Sequence, residues 1–358
     1  MTSFKKKNIL FVVADITYVG GIERVVTTLA NAFNKDLFSI TILSIYNSNK
    51  FCNYNVDSDV RIDFLTQGNY SGTPGSFTRM CGLVNKIFLI NRYFKNKEFD
   101  KIVSNSFPIT TCIALATGEK KIISYEHVHY DYYSPVIRFI RKIVYKKVES
   151  IVCLTDSDRD KYSNWHEKVN KIYNPSWLVT KEESKRSYNR AIAVGRLEYQ
   201  KGFDILIKLF KELDNKEITL DIYGVGGQKE YLEGIILENN IKNVFLRGKT
   251  HDIKSEYLKS DFLVMSSRYE GFGMVLVEAM ECGLPCIAFN CPTGPSDIIV
   301  HNVNGFLVDQ GDEKSFLEGI SVLSLDYQHR AKLGSNAKIS VEKFKVAHII
   351  EKWEKLLS

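Results

Sequence analysis

The chain has 358 residues, 44% of them hydrophobic and 25% charged, and a formal net charge of +6. This length predicts two domains, and the composition is that of an ordinary soluble globular protein. No stretch approaches the roughly 18 apolar residues that a membrane-spanning helix needs. Seven scattered cysteines without a Cys-x-x-Cys pair indicate reduced thiols, and neither a disulfide framework nor a metal site is expected.

The charge is unevenly distributed along the chain. Residues 1–175 carry 24 Lys and Arg against 16 Asp and Glu, whereas residues 176–358 carry 24 against 26. The positive charge therefore belongs to the first half. This predicts an anionic partner there, either a phosphate-bearing ligand or a membrane surface.

Strands and helices alternate through the first half. A buried strand at 7–15 leads to a Gly20-Gly21 turn and a helix at 22–33, whose apolar residues recur at helical spacing. A helix is also predicted at 78–96, after a Gly- and Ser-rich loop at 66–76. The other predicted strands are 39–46, 61–65, 101–104, 121–125 and 150–154. This rhythm predicts a parallel sheet covered by helices on both faces.

One helix of the first half, at 136–148, combines apolar and basic residues. Its apolar residues are Val136, Ile137, Phe139, Ile140, Ile143, Val144 and Val148, and its basic residues are Arg138, Arg141, Lys142, Lys146 and Lys147. Such a helix can lie on an anionic membrane surface. The alternative is that its apolar side packs on the sheet and its basic side is merely solvated.

After a linker near 174–188 the alternation restarts. Strands are predicted at 191–194, 218–223, 243–246, 261–265, 286–289 and 305–308, and helices at 204–213, 231–239, 253–258, 274–281 and 313–323. The domains are therefore expected at 1–175 and 176–339, with an amphipathic helix at 340–358 that returns towards the first domain. The fold class is α/β, with two doubly wound Rossmann-like domains facing a cleft, where ligands are expected beyond the carboxyl ends of the strands.

The most informative stretch, 266–280, is a strand end, a glycine loop and a helix start. It holds two carboxylates, Glu270 and Glu278. Glu278 lies among Met, Val, Leu and Ala, where an unbound carboxylate is costly. Either Glu278 caps or pairs internally, or both glutamates face a polar ligand.

Two cations follow the strand at 191–194. Arg196 and Lys201 lie between Gly195 and Gly202, so the backbone can approach a ligand closely. The forked guanidinium of Arg196 and the compact ammonium of Lys201, placed beside a glycine turn, suit a diphosphate. The alternative is an ordinary solvated loop.

Three further motifs are more ambiguous. Gly224-Val-Gly226-Gly227 superficially resembles a dinucleotide fingerprint, but the third glycine position is Lys229. Arg247 ends a strand where a nucleobase edge could bind. The loop at 291–297 could bind the head group of an acceptor or donor, or it could be a tight turn.

A histidine pair follows the predicted strand at 121–125. His127 could donate to a sugar hydroxyl or a phosphate, or take part in proton transfer. We expect one of Glu126, His127 and His129 to point into the cleft.

Together these motifs resemble retaining glycosyltransferases of family four, which have the two-domain GT-B fold and include enzymes of bacterial surface-polysaccharide and lipid-linked glycan synthesis. The resemblance covers nearly the whole chain. It is carried by Gly20-Gly21-Ile22-Glu23-Arg24, His127, Gly195-Arg196-x4-Lys201-Gly202, Glu270-Gly271-Phe272-Gly273-x4-Glu278, Gly283-Leu284-Pro285 and Asn304-Gly305.

The resemblance implies roles for these residues. Arg196 and Lys201 would hold the donor diphosphate, Glu278 the ribose, and Glu270 the transferred sugar, which His127 would also contact. The implied catalytic residues are His127, Glu270, Arg196 and Lys201. The implied donor-binding residues are Gly20, Gly21, Gly195, Arg196, Lys201, Arg247, Glu270, Gly271, Phe272, Gly273 and Glu278. Neither a cofactor nor a required metal is implied.

The expected activity is hexosyl transfer from a nucleotide sugar, UDP-linked, to a glycan or polyprenyl-diphosphate-linked acceptor, with retention of anomeric configuration. A nucleotide-sugar epimerase of the same fold is the first alternative, followed by a nicotinamide-dependent oxidoreductase and a silent binding module. No nucleic-acid partner is expected. The expected location is the cytoplasm, with peripheral attachment to the inner face of the cell membrane through 136–148 as a further expectation.

Overall fold

The computed structural model describes residues 5–69, 82–83, 85–95, 97–118, 121–213 and 217–358. The chain forms two compact units, of which the first joins Met1–Trp177 to Val346–Ser358 and the second is Leu178–Lys345. The domain bounds expected from sequence fall at 175/176 and 339/340. The predicted loop at 66–76 and helix at 78–96 lie partly outside the described residues.

The first unit is built on a seven-stranded parallel sheet with the order β3-β2-β1-β4-β5-β6-β7. Its strands are β1 Lys7–Val13, β2 Phe38–Ser44, β3 Arg61–Phe64, β4 Lys101–Ser104, β5 Ile122–Tyr125, β6 Ser150–Cys153 and β7 Val169–Lys171. The helices described between them are α1 Gly21–Ala32, α2 Ile87–Phe94, α3 Phe107–Thr117, α4 Pro135–Tyr145 and α5 Asp156–Ser163. The central strand β1 pairs with both β2 and β4, so the strand order reverses between β1 and β4.

The second unit repeats this design with a six-stranded parallel sheet, β10-β9-β8-β11-β12-β13. Its strands are β8 Arg190–Val194, β9 Thr219–Tyr223, β10 Val244–Gly248, β11 Phe262–Met265, β12 Cys286–Asn290 and β13 Gly305–Asp309. Its helices are α6 Phe203–Glu212, α7 Lys229–Glu238, α8 Ile253–Leu258, α9 Met274–Glu281, α10 Pro295–Ile298, α11 Glu313–Leu325 and α12 Tyr327–Ser340. The order reverses between β8 and β11, so their carboxyl ends flank the crevice where α/β sheets bind ligands.

The predicted helix at 340–358 is wrong in extent, because the chain turns within it. Helix α12 ends at Ser340, a 3₁₀ turn spans Val341–Phe344, and α13, Val346–Leu357, begins after Lys345. Helix α13 is part of the first unit, where Trp353 is fully buried against the rings of Phe11 and Tyr125.

The apolar residues of helix α4 are divided between the core and solvent. Ile137 and Val144 pack against the core of the first unit, as in the packed alternative. Val136, Phe139 and Ile143 are 70%, 65% and 53% exposed, and Ile140 is also exposed, whereas Arg141 is fully buried. The Arg141 guanidinium lies over the rings of Tyr130, Tyr133 and Tyr162, and it donates to the Tyr130 carbonyl. The expectation that Arg141 belongs to a solvated basic side is therefore wrong, because three aromatic rings hold its cation inside. No described helix is long and apolar enough to cross a membrane.

Candidate active site

An ion pair stands at the strand-order reversal of the second unit. Lys201 follows β8, Glu270 follows β11, and Lys201 Nζ lies 2.6 Å from Glu270 Oε1. Ser267 Oγ donates to the same carboxylate oxygen at 2.6 Å. Only 7% of the Glu270 side chain is exposed. The structure thus brings two of the predicted catalytic residues together at the edge where a ligand is expected.

The loops after β8 and β11 are tied to each other. The Gln200 side-chain amide donates to the Tyr269 backbone carbonyl at 2.9 Å. The Gln200 backbone carbonyl accepts from the Arg268 backbone N–H at 2.8 Å. Ser266 Oγ donates to the Gly202 carbonyl at 2.8 Å. These bonds hold the Lys201 and Glu270 backbones at a fixed separation, which is the preorganisation that a charge-stabilising site needs.

A second glycine loop packs against the first. A Cβ added to Gly224 would lie 1.8 Å from the Gly195 carbonyl oxygen, and one added to Gly226 would lie 2.4 Å from the Leu197 carbonyl oxygen. Real Cβ atoms do not come this close, so these positions need glycine whatever ligand the unit binds. The resemblance of Gly224-Val-Gly226-Gly227 to a dinucleotide fingerprint is thereby explained by packing.

The loop at 291–297 supports the glycine loop at 271–273 from behind. Thr293 Oγ1 donates to the Glu270 carbonyl at 2.6 Å. A Cβ added to Gly294 would lie 2.2 Å from the Phe272 carbonyl oxygen. Gly273, with φ +94°, then turns the chain into α9. Of the two interpretations of the 291–297 loop, the contacts favour a structural turn.

Glu278 has a phenol partner inside the unit. Its side chain lies on α9 and is 6% exposed, and Tyr257 on α8 donates to its Oε2 at 3.2 Å. Burial and the Glu278 charge raise the pKa of Tyr257 well above its usual value, so its hydroxyl remains a donor. The carboxylate is therefore oriented by the fold rather than left without a partner.

The two arginines of the predicted site have other partners. Arg196 is exposed and donates to Gln200 Oε1 at 3.4 Å. Arg247 forms an ion pair with the buried Asp221 at 2.7 Å, and its guanidinium lies over the Phe245 ring. Neither arginine makes a described contact with Lys201 or Glu270.

The remaining predicted residues belong to the first unit. Gly20 caps the start of α1, and the space beside Gly21 is open. His127 lies just beyond β5 and bonds to Asn105 at 3.0 Å. Glu126 is buried, and Ser124 and Tyr145 donate to its Oε1, so its carboxylate is not accessible to a ligand.

Sequence reasoning missed Asn105, Ser267, Tyr257 and Thr293. Asn105 is the first residue after β4 and Ser267 the second after β11, so the rule that ligands bind beyond the carboxyl ends of parallel strands could have found them. Tyr257 and Thr293 act through partners distant in sequence, and no local pattern marks them. Within the described parts of the chain, no three His, Cys, Asp or Glu side chains cluster in a way that could hold a metal ion.

Two Rossmann-like units of this topology also occur in solved glycosyltransferases. The chain superposes on TarM from S. aureus, solved with UDP, with a TM-score of 0.79 at 18% identity, covering 98% of this chain and 100% of that one. A sucrose-phosphate synthase from Thermosynechococcus elongatus gives 0.84 at 17% identity, covering 98% of both chains. These likenesses establish the two-domain GT-B fold.

The sequence comparisons relate the chain to glycosyltransferases. Residues 178–340 match the model of "Glycosyl transferases group 1". A Campylobacter jejuni enzyme, GalNAc-alpha-(1->4)-GalNAc-alpha-(1->3)-diNAcBac-PP-undecaprenol alpha-1,4-N-acetyl-D-galactosaminyltransferase, is 28% identical over 98% of both chains. An amylovoran biosynthesis glycosyltransferase from Erwinia amylovora is 28% identical over 98% of this chain and 99% of its own. Residues 178–340 are thus a group 1 glycosyltransferase domain, as the motifs predict, and the comparisons support a hexosyltransferase-type enzyme and give the epimerase alternative no support.

Proposed function

We propose that the protein transfers a sugar from a UDP-linked donor to a lipid-linked glycan acceptor with retention of anomeric configuration. The observation that carries the proposal is the Lys201–Glu270–Ser267 cluster at the strand-order reversal of the second unit. It offers one cation for a diphosphate and one oriented carboxylate for sugar hydroxyls. Both charges are held in place before a donor binds, because the two loops that carry them are bonded to each other.

The chemistry we propose for this site is leaving-group stabilisation. The bond between the anomeric carbon and the donor diphosphate breaks, and a bond from that carbon to an acceptor hydroxyl oxygen forms on the same face. The acceptor proton passes to the departing diphosphate. Lys201 and Arg196 offset the charge that grows on that group, Glu270 and the backbone of 271–273 hold the sugar, and Glu278 holds the ribose. His127 contacts the transferred sugar, and Gly20, Gly21 and Arg247 complete the donor site.

We further propose that no resident metal takes part, because the cations of Arg196 and Lys201 meet the diphosphate charge. Activity should then survive an excess of EDTA. A loss of turnover that only a divalent cation restores would contradict this point and leave the donor site intact.

The donor and acceptor classes are supported by the relatives. The pneumococcal transferase GtfA, a fold neighbour at 15% identity and a TM-score of 0.77, was solved with UDP and GlcNAc. The Campylobacter relative is named for a PP-undecaprenol-linked acceptor. From these relatives we also propose that the protein acts in surface-polysaccharide or lipid-linked glycan synthesis, of a capsule or O-antigen type.

The first test is a thermal-shift screen of UDP, GDP, ADP and their sugars, followed by transfer from the stabilising donor to polyprenyl-diphosphate-linked glycans. We expect UDP and one UDP-sugar to raise the melting temperature, and the product to keep the donor's anomeric configuration. Interconversion of the nucleotide sugar in the absence of acceptor would instead indicate an epimerase. A protein that no nucleoside diphosphate stabilises would contradict the proposal.

We propose in addition that α4 docks on an anionic membrane surface. Val136, Phe139, Ile140 and Ile143 follow i, i+3, i+4, i+7 spacing and form one exposed apolar stripe. The neighbouring Lys142, Lys146 and Lys147 are also exposed. Apolar side chains that enter the headgroup region beside lysines that meet lipid phosphates are the features of an interfacial helix.

Vesicle sedimentation tests this docking. The wild type should bind vesicles that contain phosphatidylglycerol and not vesicles of phosphatidylcholine alone. Replacing Phe139 and Ile143 together by Ser should abolish binding without unfolding, because both side chains are exposed. The matched control is Phe88→Ser, which changes an exposed phenylalanine elsewhere in the first unit, 75% exposed, and should bind normally. Equal binding by all three proteins would rule out α4 as the docking surface.

A further inference from the structure

A buried asparagine contacts the histidine of the predicted site. Asn105 is 1% exposed and directly follows β4, next to the strand-order reversal of the first unit. Its Nδ2 donates to the Val12 carbonyl at 3.1 Å, and its Oδ1 lies 3.0 Å from His127 Nε2. The backbone N–H of Asn105 bonds to the same Val12 carbonyl. Asn105 is therefore held at two points to the end of β1.

These contacts settle which way the amide points. Turning it over would place Oδ1 against the Val12 carbonyl oxygen, so that two buried acceptors face each other and Oδ1 has no donor. The orientation with Nδ2 on Val12 leaves only an acceptor for His127. Nε2 must then carry the proton, and it donates to Oδ1 of Asn105.

The backbone next to Asn105 is strained. Ser106 has φ +136° and ψ +155°, a region that is essentially restricted to glycine. Such conformations cost free energy and persist where the surroundings fix them, often at functional sites. Here the strained residue joins Asn105 to the start of α3, whose second residue is Pro108.

His127 is also fixed from its other side. Its ring lies 4.1 Å, centre to centre, from that of Tyr125, which packs edge-on against Trp353. Tyr125 Oη donates to Asn174 Oδ1 at 2.5 Å. Burial lowers the pKa of His127 to about 3, so the imidazole is neutral at physiological pH. Within the described residues, nothing bonds to Nδ1.

We propose that Asn105 is a positioning residue that fixes His127 as the Nε2–H tautomer, so that His127 presents Nδ1 to the ligand as a hydrogen-bond acceptor. The ligand group that suits this atom is a sugar hydroxyl, which can donate. A diphosphate oxygen cannot, so His127 contacts the sugar and takes no part in binding the phosphates. This assignment rests on the proposed function only for the identity of the sugar, because the tautomer is a property of the protein itself.

The tautomer can be read directly by NMR of protein labelled with ring-¹⁵N histidine, and His127→Ala assigns the signal among the seven histidines. We expect one protonated and one unprotonated ring nitrogen in the wild type at neutral pH, with the proton on Nε2. In Asn105→Ala that pattern should give way to a mixture of tautomers. Asn105→Asp retains an acceptor for Nε2–H, so Nε2 should stay protonated, while its second oxygen faces the Val12 carbonyl and should lower the free energy of unfolding.

Kinetics with the active donor provide the second readout. Asn105→Ala should lower kcat/KM about tenfold, the effect of one misdirected hydrogen bond, and leave UDP affinity unchanged. The matched control is Asn243→Ala, which removes a buried asparagine that donates to the Phe210 and Ile218 carbonyls in the second unit. It should change neither the His127 signal nor UDP affinity.

Two outcomes would overturn the proposal. One is a wild-type His127 that carries its proton on Nδ1 or is doubly protonated at neutral pH. The other is an Asn105→Ala protein that keeps the wild-type tautomer. UDP binding is measured on the same samples, so a failure of the donor assignment is seen separately: a protein that lacks UDP affinity can still show the predicted tautomer.

Discussion

At the residue scale, Lys201 is the position where a single charge matters most. Its ammonium group is already bonded to Glu270, so the site holds its cation without assistance from a ligand. Lys201→Ala should lower kcat about 100-fold or more, because one charge-stabilising donor is lost from the leaving group. Steady-state rates and circular dichroism of the same preparation measure activity and folding together.

A surface lysine provides the control for that substitution. Lys229, with a 60% exposed side chain, pairs with Glu233 on the same helix. Lys229→Ala should keep normal turnover. Equal rates in both variants would remove Lys201 from the site.

Tyr257 allows the role of Glu278 to be tested without removing the carboxylate. Tyr257→Phe deletes the hydroxyl that donates to Glu278 and preserves the ring. Since Glu278 is proposed to bind the ribose, UDP affinity should fall about tenfold while kcat changes little. Titration calorimetry measures the affinity, and Tyr231→Phe on an exposed residue should match the wild type. An unchanged affinity in Tyr257→Phe would separate this pair from nucleotide binding.

The sequence could predict which residues carry charge at the site, but not what each one contacts. Glu270 and Glu278 stand out because carboxylates are rare in apolar surroundings. Their partners Lys201 and Tyr257 are 69 and 21 positions away, and only the fold brings them close. Asn105 went unnoticed because one asparagine after a short strand has no distinctive pattern.

At the element scale, the glycine loops of the second unit make a paired prediction. Gly224→Ala would place a Cβ 1.8 Å from the Gly195 carbonyl, at a residue with φ +154°. It should lower the free energy of unfolding by more than about 2 kcal/mol and distort the loop that carries Arg196. Chemical denaturation measures the first effect, and UDP binding measures the second.

Gly234→Ala is the opposite case within the same unit. Gly234 lies inside α7, and beyond the neighbouring backbone of the helix itself no described atom lies within 4 Å of the Cβ that alanine would add. The substitution should raise the free energy of unfolding by about 0.5–1 kcal/mol, because it reduces the entropy of the unfolded chain. If both variants were equally stable, steric packing would not explain the glycines of this loop.

Strands and helices with apolar periodicity were predicted to within a few residues, and those organised around polar side chains were not. Helix α5 has the sequence DSDRDKYS, without an apolar stripe. Helix α12 buries Arg330, Leu333, Gly334 and Ala337, of which only leucine is a large apolar residue. The interpretation of α4 failed for the same reason at Arg141. A sequence pattern predicts that an arginine is exposed, because the carbonyl and aromatic groups that surround a buried arginine come from distant parts of the fold.

At the scale of the whole molecule, the GT-B fold and the glycosyltransferase class of enzyme were both predicted correctly, since the alternation of strands and helices and the spaced motifs extend over most of the chain. The assignment of α13 to the first unit depends on Trp353. Trp353→Ala should destabilise that unit by about 3–5 kcal/mol, because a fully buried indole is replaced by a cavity beside Phe11 and Tyr125.

Scanning calorimetry should then show the transition of the first unit at a lower temperature. Glu351→Ala, on the exposed side of the same helix, should stay within about 0.5 kcal/mol of the wild type. An equally mild effect of Trp353→Ala would show that α13 contributes little to the first unit.

The return of α13 to the first unit also sets the order in which a ribosome can complete the molecule. Residues 178–345 form one contiguous unit, whereas the first unit needs a helix that is translated after all of them. Until α13 emerges, the faces of Phe11 and Tyr125 that will cover Trp353 have no indole against them. The unit that is synthesised first is therefore finished last, and the nascent chain carries an incomplete apolar surface through the synthesis of its second half.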